Sequence, residues 1–167
     1  MPIVSLQKDS PFTDGRQSGR ALQIKSGVER LFGEGNWALL PELTLDNGRR
    51  ADLVAVSPKG GITIVEIKSS VADFRADSKW PDYLAWCDQF YFATLSDVPA
   101  EIFPASAGLI IADRHGAHIV RDHEGERMKA HLRKTVHLRF ARAAATRLSA
   151  CCAHAGYSGL EFAESGS

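Results

Sequence analysis

Two tight-turn signals in close succession constrain the fold of this chain more than any other feature. Asp46-Asn47-Gly48 is typical of a two-residue hairpin turn, because Asn and Gly accept the positive φ angles that such a turn needs. Pro58-Lys59-Gly60-Gly61 turns the chain a second time. The segments that these turns join are apolar or rich in β-branched residues, and they are Trp37–Leu45, Arg50–Ser57 and Ile62–Lys68. The pattern therefore predicts an antiparallel meander of three strands.

Segments of helical and extended character lie on both sides of this meander. Residues 17–34 predict a helix, because their apolar side chains recur at helical spacing and Gly35 follows the last turn. Pro41 places the first strand at an edge or at a bulge. Pro81 suits the first turn of a second helix, which we predict to continue to Gln89. The remaining predictions are a strand at 90–95, a hairpin from 107–112 and 118–121, a segment at 135–140 that fits either a strand or a helix, and a helix at 141–153.

The order of these elements predicts one mixed α/β domain. A helix, three strands, a helix and a strand follow one another, and further elements come after them. We place the domain at residues 16–153. Residues 1–15 carry prolines and a glycine without periodicity and predict a loose arm, and residues 154–167 predict a frayed tail.

The sequence argues against a membrane or secreted protein. No segment approaches the roughly 20 consecutive apolar residues that a helix needs to cross a bilayer. The first residues lack the basic-then-apolar order of a secretory signal. The three cysteines are an odd number that includes the adjacent pair Cys151 and Cys152, which disfavours a disulfide framework. We therefore expect a cytoplasmic protein with no membrane partner, and its oligomeric state, a dimer included, stays open.

The charge distribution matters more than the net charge. The formal net charge is +0, whereas phosphate binding favours basic surfaces. Between Arg127 and Gly159, however, there are seven Lys or Arg residues and no Asp or Glu. The plainest interpretation of this basic run is a solvated helix face.

Three charged residues stand in strands that are otherwise built for burial. Asp52 lies inside the second predicted strand, and Glu66 and Lys68 lie at the end of the third. Residues two apart on a strand point to the same side, so Glu66 and Lys68 share a face. If Asp52 is opposite on the paired strand, two carboxylates and an amine meet in one small volume. Such charges are costly unless they are paired or bound to a cation.

A hard cation resolves this cost. Magnesium takes a few carboxylate oxygens, keeps some of its water molecules and completes its shell with a substrate phosphate. An ion of this kind polarises a phosphoryl oxygen and activates water, while Lys68 would hold the attacking water or neutralise charge on the phosphate. The alternative is a structural Glu66–Lys68 pair on an exposed strand end, because an acid two residues before a lysine is common.

The same three residues carry a resemblance to a known superfamily. An Asp followed by Glu-x-Lys on consecutive strands, after one helix and before another, resembles the PD-(D/E)xK nuclease superfamily. More narrowly, the chain resembles the bacterial MmcB family of DNA-repair proteins over roughly residues 18–150. The matching segments are Gly48-Arg-Arg-Ala-Asp-Leu53, Val65-Glu-Ile-Lys-Ser-Ser70, Asp73-Phe-Arg-Ala-Asp-Ser-Lys-Trp80, Tyr83-Leu-Ala-Trp-Cys-Asp-Gln-Phe-Tyr-Phe-Ala93 and Phe140-Ala-Arg-Ala-Ala-Ala-Thr-Arg-Leu148. Ala51 stands where the superfamily's motif has proline, at a position that varies.

The resemblance implies a fold, an activity and a set of roles. It implies a restriction-endonuclease-like αβββαβ core, with a mixed central sheet flanked by helices. It implies Asp52 and Glu66 as ligands of Mg²⁺ or Mn²⁺, aided by the Ile67 carbonyl, with Lys68 as the catalytic amine. The implied function is hydrolysis of DNA phosphodiester bonds in DNA repair. The alternatives are a DNA-binding repair accessory without catalysis and an RNA-processing nuclease of the same fold.

Two further acids are candidates for the metal. Glu29 lies on the flank of the first helix, where related nucleases often place another acid, although a solvated helix-surface Glu is the favoured interpretation. Glu42 lies within an apolar strand, where an acid must find a partner. We expect each of these residues either to complete the metal shell or to have no role in the metal site.

The remaining candidates surround the Glu-x-Lys segment. Arg49, Arg50 and Lys79 are expected to contact phosphate, or else to pair with nearby acids. Trp80 is expected to stack on an unpaired base or to pack in the core. The residues expected to support the site from a second layer, by orienting Lys68 or a water molecule or by capping a helix, are Asp73, Tyr83, Asp88 and Gln89.

Overall fold

The computed structural model describes residues 19–156 of the 167-residue chain. The helices are α1 (Gly19–Glu34), α2 (Val71–Arg75) and α3 (Ala130–His154), and the strands are β1 (Ala38–Thr44), β2 (Arg50–Val56), β3 (Ile62–Ile67), β4 (Gln89–Thr94), β5 (Gly108–Ala112) and β6 (Ala117–Arg121). Two 3₁₀ segments, Trp80–Trp86 and Ala100–Ile102, lie before and after β4. The first helix, the three strands, the fourth strand and the later hairpin are all present, as the sequence predicts.

The strands form one six-stranded mixed sheet in the order β1-β2-β3-β4-β5-β6. The first three strands are antiparallel neighbours, which confirms the meander. β3 pairs with β4 and β4 with β5 in parallel, and β6 returns antiparallel to β5. The sheet and its flanking helices are consistent with the restriction-endonuclease-like αβββαβ core that the sequence predicts.

The two faces of the sheet bury different layers. α1 packs on one face, where Ile24 and Val28 join Leu53 and Val65 in a single cluster. The 3₁₀ segment Trp80–Trp86 and α3 cover the other face. The buried residues of that face include Val54, Ile64, Phe90, Phe92, Tyr83 and Val136. Because side chains alternate along a strand, Asp52 belongs to the same face as Val54, and Glu66 belongs to the same face as Ile64. Both acids therefore lie on the side away from α1.

The first strand is an edge strand, as Pro41 predicts, and α3 covers its edge. Glu42 adopts a positive φ of 52°, a conformation that side chains other than glycine rarely take. The guanidinium of Arg147 donates to the carbonyls of Pro41 and Glu42. Arg139 donates to the Asp46 carboxylate. The kinked edge thus obtains hydrogen-bond donors from the helix instead of from another strand.

These contacts correct the interpretation of the basic run as a solvated face for three of its seven basic residues, whereas the other four are exposed. Arg133, Arg139 and Arg147 all point to the sheet side of α3, and they dock the helix on loops and strands that are remote in sequence. Arg133 makes two hydrogen bonds of 2.5 Å with the Asp88 carboxylate. A helix without acidic residues uses its arginines here as anchors, because the partners lie on other elements.

Two predicted boundaries change. The helix predicted from Pro81 to Gln89 is the 3₁₀ segment that ends at Trp86, and Gln89 is the first residue of β4. Cys87 is extended, with φ −146° and ψ 161°, since Asp88 accepts a hydrogen bond from the Ile62 N–H and aligns the chain with β3. Residues 135–140 are helical as part of α3.

The predicted arm at 1–15 lies outside the described residues. The predicted tail falls there as well from residue 157 onward, whereas His154 is the last residue of α3. Across residues 19–156, no helix is long and apolar enough to traverse a bilayer.

Candidate active site

Asp52 and Glu66 lie opposite each other where β2 and β3 separate. The paired register runs from Val56 and Ile62 to Leu53 and Val65, and the next position brings the two acids face to face. The Asp52 N–H donates to Glu66 Oε1 at 3.1 Å, and the Ile67 N–H donates to Asp52 Oδ2 at 2.8 Å. Each carboxylate therefore accepts a backbone hydrogen bond from the other strand. The convergence that the sequence analysis required is present.

Burial makes the two carboxylates expensive to ionise together. Glu66 is 5% exposed. Burial, and then the negative charge of Asp52, raise the pKa of Glu66 to about 8. Burial also raises the pKa of Asp52, although the hydrogen bond from Ile67 and the charge of Lys68 oppose that rise. A cation placed between the two acids would remove this repulsion.

Lys68 carries the positive charge nearest to the acid pair. Its ammonium donates to Asp77 Oδ2 at 2.6 Å, and its side chain is 8% exposed. Burial lowers the pKa of Lys68, but the hydrogen bond and charge of Asp77, followed by the charges of Glu66 and Asp73, outweigh it and raise the pKa overall. The Lys68 backbone is fixed by a hydrogen bond from its N–H to Ala93 and by one from the Thr94 hydroxyl to its carbonyl. Lys68 is thus a positively charged amine whose position is fixed by hydrogen bonds.

Asp77 is the residue at this site that our sequence analysis did not assign a role. Its pKa is lowered, because the hydrogen bonds from Lys68 and from the Lys79 N–H, together with their charges, outweigh the effect of burial. It lies in the loop between α2 and the 3₁₀ segment. In the sequence it stood out only as part of the Asp73–Trp80 segment of the family resemblance, since no periodicity fixes where a loop side chain turns.

Asp73 and Tyr83, which were predicted to support the site, lie beside it. The Asp73 carboxylate accepts hydrogen bonds from the N–H and the hydroxyl of Ser69, at 2.8 and 3.2 Å, while Ser70 caps α2. The Tyr83 hydroxyl donates to the Arg50 carbonyl at 2.8 Å. Burial, and then the charges of Glu66 and Asp52, raise the pKa of Tyr83, so the hydroxyl stays protonated near the acids. Both residues restrain the backbone that presents the site.

Asp88 and Gln89 are placed elsewhere, which corrects the expectation that they orient Lys68. Asp88 binds the Ile62 N–H and Arg133 at the first residue of β3, whereas Lys68 follows the last residue of that strand. Gln89 pairs with Thr63 and accepts a hydrogen bond from the Tyr91 hydroxyl at 2.7 Å. At about 3.3 Å per residue, the length of β3 separates both residues from the lysine.

Glu29 and Glu42, the two further candidates for the metal, lie in different positions relative to the pair formed by Asp52 and Glu66. Glu29 is exposed on α1, which packs on the opposite face of the sheet, and lies 3.9 Å from the Lys25 ammonium. Glu42 is half-buried and falls between two paired positions, Pro41 with Leu53 and Leu43 with Ala51, so the register sets it across from Asp52. Glu42 also lines a groove between β1 and α3. Of the two acids, Glu42 is the one close to Asp52 in the sheet.

Among residues 19–156, Arg49 has an ion-pair partner, whereas the side chains of Arg50 and Lys79 have none. Arg49 forms an ion pair with Asp82, with its Nε 2.8 Å from the carboxylate. Arg50 is exposed, and its charge opposes the rise in the pKa of Asp52 that burial causes. Lys79 is exposed, and its charge acts in the same direction on Asp77. Arg50 and Lys79 are therefore the cations at the rim of the site.

Trp80 is used in packing. Its ring is half-buried and lies 5.6 Å from the ring of Phe90 and 5.7 Å from that of Phe92, measured between centroids. This position corresponds to the core-packing alternative, not to stacking on a base. The tryptophan fixes the 3₁₀ segment against the sheet and so positions Tyr83, which belongs to the same segment.

The donor set of the acid pair suits a hard cation with few protein ligands. Between residues 19 and 156, no three His, Cys, Asp or Glu side chains are grouped to hold a metal ion by themselves. Magnesium, however, is commonly bound through one or two carboxylates, with water and substrate phosphate completing the shell. The raised pKa of Glu66 adds an electrostatic reason for a cation, since the ionised pair has more negative charge than Lys68 balances.

Comparisons with known proteins agree with this architecture. A family model described as DNA repair protein MmcB-like matches residues 8–155. A solved structure of a protein of unknown function from Silicibacter pomeroyi is 35% identical to the chain, with a TM-score of 0.77. That alignment covers 88% of this chain and 99% of the other. None of the curated proteins compared with the chain matches it. The chain belongs to the MmcB-like family of DNA repair proteins.

Proposed function

We propose that this protein is a metal-dependent nuclease that hydrolyses DNA phosphodiester bonds during DNA repair. Membership of a DNA repair family indicates a role in repair with DNA as a partner. The observation that carries the finer proposal is the pair formed by half-buried Asp52 and buried Glu66, joined by reciprocal backbone hydrogen bonds beside a charged lysine. A structural surface pair has no need of a second carboxylate at the same point.

Asp52 and Glu66 are the side chains that would hold Mg²⁺ or Mn²⁺, with the Ile67 carbonyl as a backbone ligand. The ion would supply positive charge to the phosphoryl group and lower the pKa of a water molecule. Hydrogen bonds from the N–H groups of Asp52 and Ile67 hold the two carboxylates in place before any ion arrives. This arrangement reduces the reorganisation that binding requires.

Lys68 has the position and the charge to act on the phosphate or on the attacking water. Its ammonium is fixed by Asp77, and its raised pKa keeps it protonated at neutral pH. In that state it donates hydrogen bonds and stabilises negative charge as the phosphorus–oxygen bond breaks. Asp77 is a positioning residue, because it acts through the lysine.

The rim of the site supplies the contacts to the DNA backbone. Arg50 and Lys79 are exposed cations next to Asp52 and Asp77 respectively. Such groups bind phosphates without reading the base sequence. Arg49 is already paired with Asp82, so a phosphate would have to compete with that carboxylate.

The test is a cleavage assay on single-stranded, duplex and branched DNA with Mg²⁺ or Mn²⁺. Lys68→Ala and Asp52→Asn proteins are the active-site variants, and Lys59→Ala is the matched control. Lys59 is an exposed lysine in the turn at the opposite end of β3. We expect cleavage by the wild type and by the control, and none by the two variants. Metal-dependent cleavage that survives in the Lys68→Ala protein contradicts the proposal.

One observation favours a second candidate, a DNA-binding repair accessory without catalysis. Lys68 is paired with Asp77 at 2.6 Å and is therefore not free to serve the acid pair alone. This candidate predicts salt-sensitive DNA binding, with no metal-dependent product on any of the DNA structures. The same assay, run beside a binding titration at two salt concentrations, separates the two functions.

A further inference from the structure

Contacts from three other elements fix the chain where it leaves β3, at Lys68 and Ser69. β4 holds both the N–H and the carbonyl of Lys68. The N–H and the hydroxyl of Ser69 donate to Asp73 of α2. The Ser69 carbonyl accepts a hydrogen bond of 2.9 Å from Nε of Arg20, which belongs to the first turn of α1. A helix on the opposite face of the sheet therefore contacts the residue directly after the lysine.

The guanidinium of Arg20 has all three of its nitrogens engaged. Its two terminal nitrogens donate side by side to the Asp97 carboxylate, at 2.7 and 3.0 Å, while Nε donates to Ser69. A bidentate pair of this kind fixes the plane of the guanidinium as well as its position. Asp97 lies in the turn that follows β4. The pair thus connects α1, the end of β3 and the turn after β4.

The exposure of this pair indicates that its main contribution is to geometry and not to stability. The side chains of Arg20 and Asp97 are 45% and 63% exposed. Ion pairs at such exposed positions contribute little to the free energy of unfolding. An oriented guanidinium, however, restricts where the carbonyl that it binds can lie, because a hydrogen bond weakens steeply as its angle changes.

We infer that Arg20, oriented by Asp97, is a positioning residue that fixes Lys68 through the carbonyl of Ser69. Its effect on catalysis rests on the proposed nuclease function, whereas its effect on the backbone of Lys68 does not. Ser69 directly follows Lys68, so a movement of the Ser69 peptide reaches the lysine within one residue. A displacement of about 1 Å at a reacting group can reduce a catalytic rate roughly a hundredfold.

The first experiment compares single-turnover DNA cleavage by the wild type and by Arg20→Ala at saturating Mg²⁺. Arg30→Ala is the matched control, since Arg30 is an exposed arginine on the same helix. We expect Arg20→Ala to lower the cleavage rate by about tenfold or more, while DNA affinity and the urea midpoint stay close to those of the wild type. The control should leave all three unchanged. A wild-type rate in Arg20→Ala overturns the inference, as does a loss of rate matched by an equal loss of DNA affinity.

Asp97→Ala tests whether the orientation of the guanidinium matters. It leaves Arg20 in place and removes the carboxylate that aligns it. We expect a loss of rate of the same order as in Arg20→Ala. The double variant should be no slower than Arg20→Ala alone, because the two residues act through one contact. Losses that multiply in the double variant contradict the role given to Asp97.

The second experiment measures the backbone directly and needs no cleavage. Amide hydrogen exchange, followed by NMR in the metal-free protein, reports how often the hydrogen bonds from the N–H groups of Lys68 and Ser69 open. We expect both amides to exchange about tenfold faster in Arg20→Ala and at the wild-type rate in Arg30→Ala. A wild type that cleaves no DNA would contradict the proposed nuclease, and the exchange rates would still decide the role of Arg20. Unchanged exchange in Arg20→Ala overturns the inference.

Discussion

The two ends of β3 show opposite ways of handling charge. At its first residue, Asp88 accepts hydrogen bonds from the Ile62 N–H and from both terminal nitrogens of Arg133. Burial opposes ionisation of Asp88, but the Arg133 hydrogen bonds outweigh it and lower its pKa. At its last residues, Glu66 faces Asp52, and the pKa of Glu66 rises to about 8. One end is balanced within the protein, and the other would hold a surplus of negative charge once both acids ionise.

This difference distinguishes a structural ion pair from a functional site. A balanced pair serves the fold, because it joins α3 to the strand and the two charges neutralise each other. A surplus of buried negative charge costs stability unless something outside the chain neutralises it. Perturbed pKa values at such points are a mark of functional sites. The contrast can be tested with substitutions at each end.

The largest expected effect is on catalysis at the charged end. Asp52→Asn keeps the side-chain volume and removes one anionic metal ligand. We expect cleavage to fall roughly a thousandfold, equivalent to about 4 kcal/mol in the activation barrier. Single-turnover cleavage with Mg²⁺ measures it. An Asp52→Asn protein as active as the wild type would remove the distinction between the two ends.

The second effect is a pH dependence that only the charged end produces. The folded pKa of Glu66 is about 8, against an ordinary value of 4.5. Between pH 4.5 and about pH 8, Glu66 is ionised in the unfolded chain but protonated in the folded chain. The free energy of unfolding therefore falls as pH rises. Above about 8 the fall ends. We expect a total loss of a few kcal/mol without divalent ions.

Denaturant titrations in a chelator, from about pH 5 to about pH 9, measure this loss. Glu66→Gln should remove most of the slope, and saturating Mg²⁺ should restore stability to the wild type alone. The lowered pKa of Asp88 has the opposite sign, since its contribution is present at neutral pH and is lost only as pH falls below its ordinary value of 3.8. A wild-type slope equal to that of Glu66→Gln contradicts the surplus of charge.

A smaller effect is expected from breaking the balanced end. Arg133→Ala removes the two charged hydrogen bonds to Asp88 and should lower the free energy of unfolding by about 2 kcal/mol. Lys134→Ala, an exposed neighbour, is the control and should change stability by less than about 0.5 kcal/mol. Urea denaturation compares the two. Metal affinity should be the same in both variants, and a loss of metal binding in Arg133→Ala alone would show that the two ends are coupled.

The smallest effect is on DNA binding at the rim. Arg50 is exposed beside Asp52, whereas Arg139 is engaged with Asp46. Arg50→Ala should weaken DNA binding by a few-fold and reduce its salt dependence, since one phosphate contact is lost. Arg139→Ala should leave DNA affinity unchanged and act only on stability. Fluorescence anisotropy at two salt concentrations tests both, and equal weakening by the two variants would contradict the assignment.

The sequence by itself determined the meander and the face that carries the acid pair. The Asp-Asn-Gly and Lys-Gly-Gly turns set the register locally, and the two-residue period of a strand then places Glu66 and Lys68 on one side with Asp52 opposite. These are short-range effects, so a pattern of neighbouring residues is enough to predict them. The family resemblance added the intended order of helices and strands, which the fold confirms.

Only the tertiary structure decided which charges meet. Asp88 was expected near Lys68 and instead binds Arg133, which is 45 residues away in sequence. The Arg147 guanidinium donates to the Pro41 carbonyl at a sequence separation of 106 residues. The Lys68 ammonium donates to Asp77, which lies in a loop. A charged side chain has no periodicity that names its partner, because the partner depends on how remote elements pack. The strands and the acid pair follow from local geometry. Whether a given charged side chain has a neutralising partner is decided by the assembled fold.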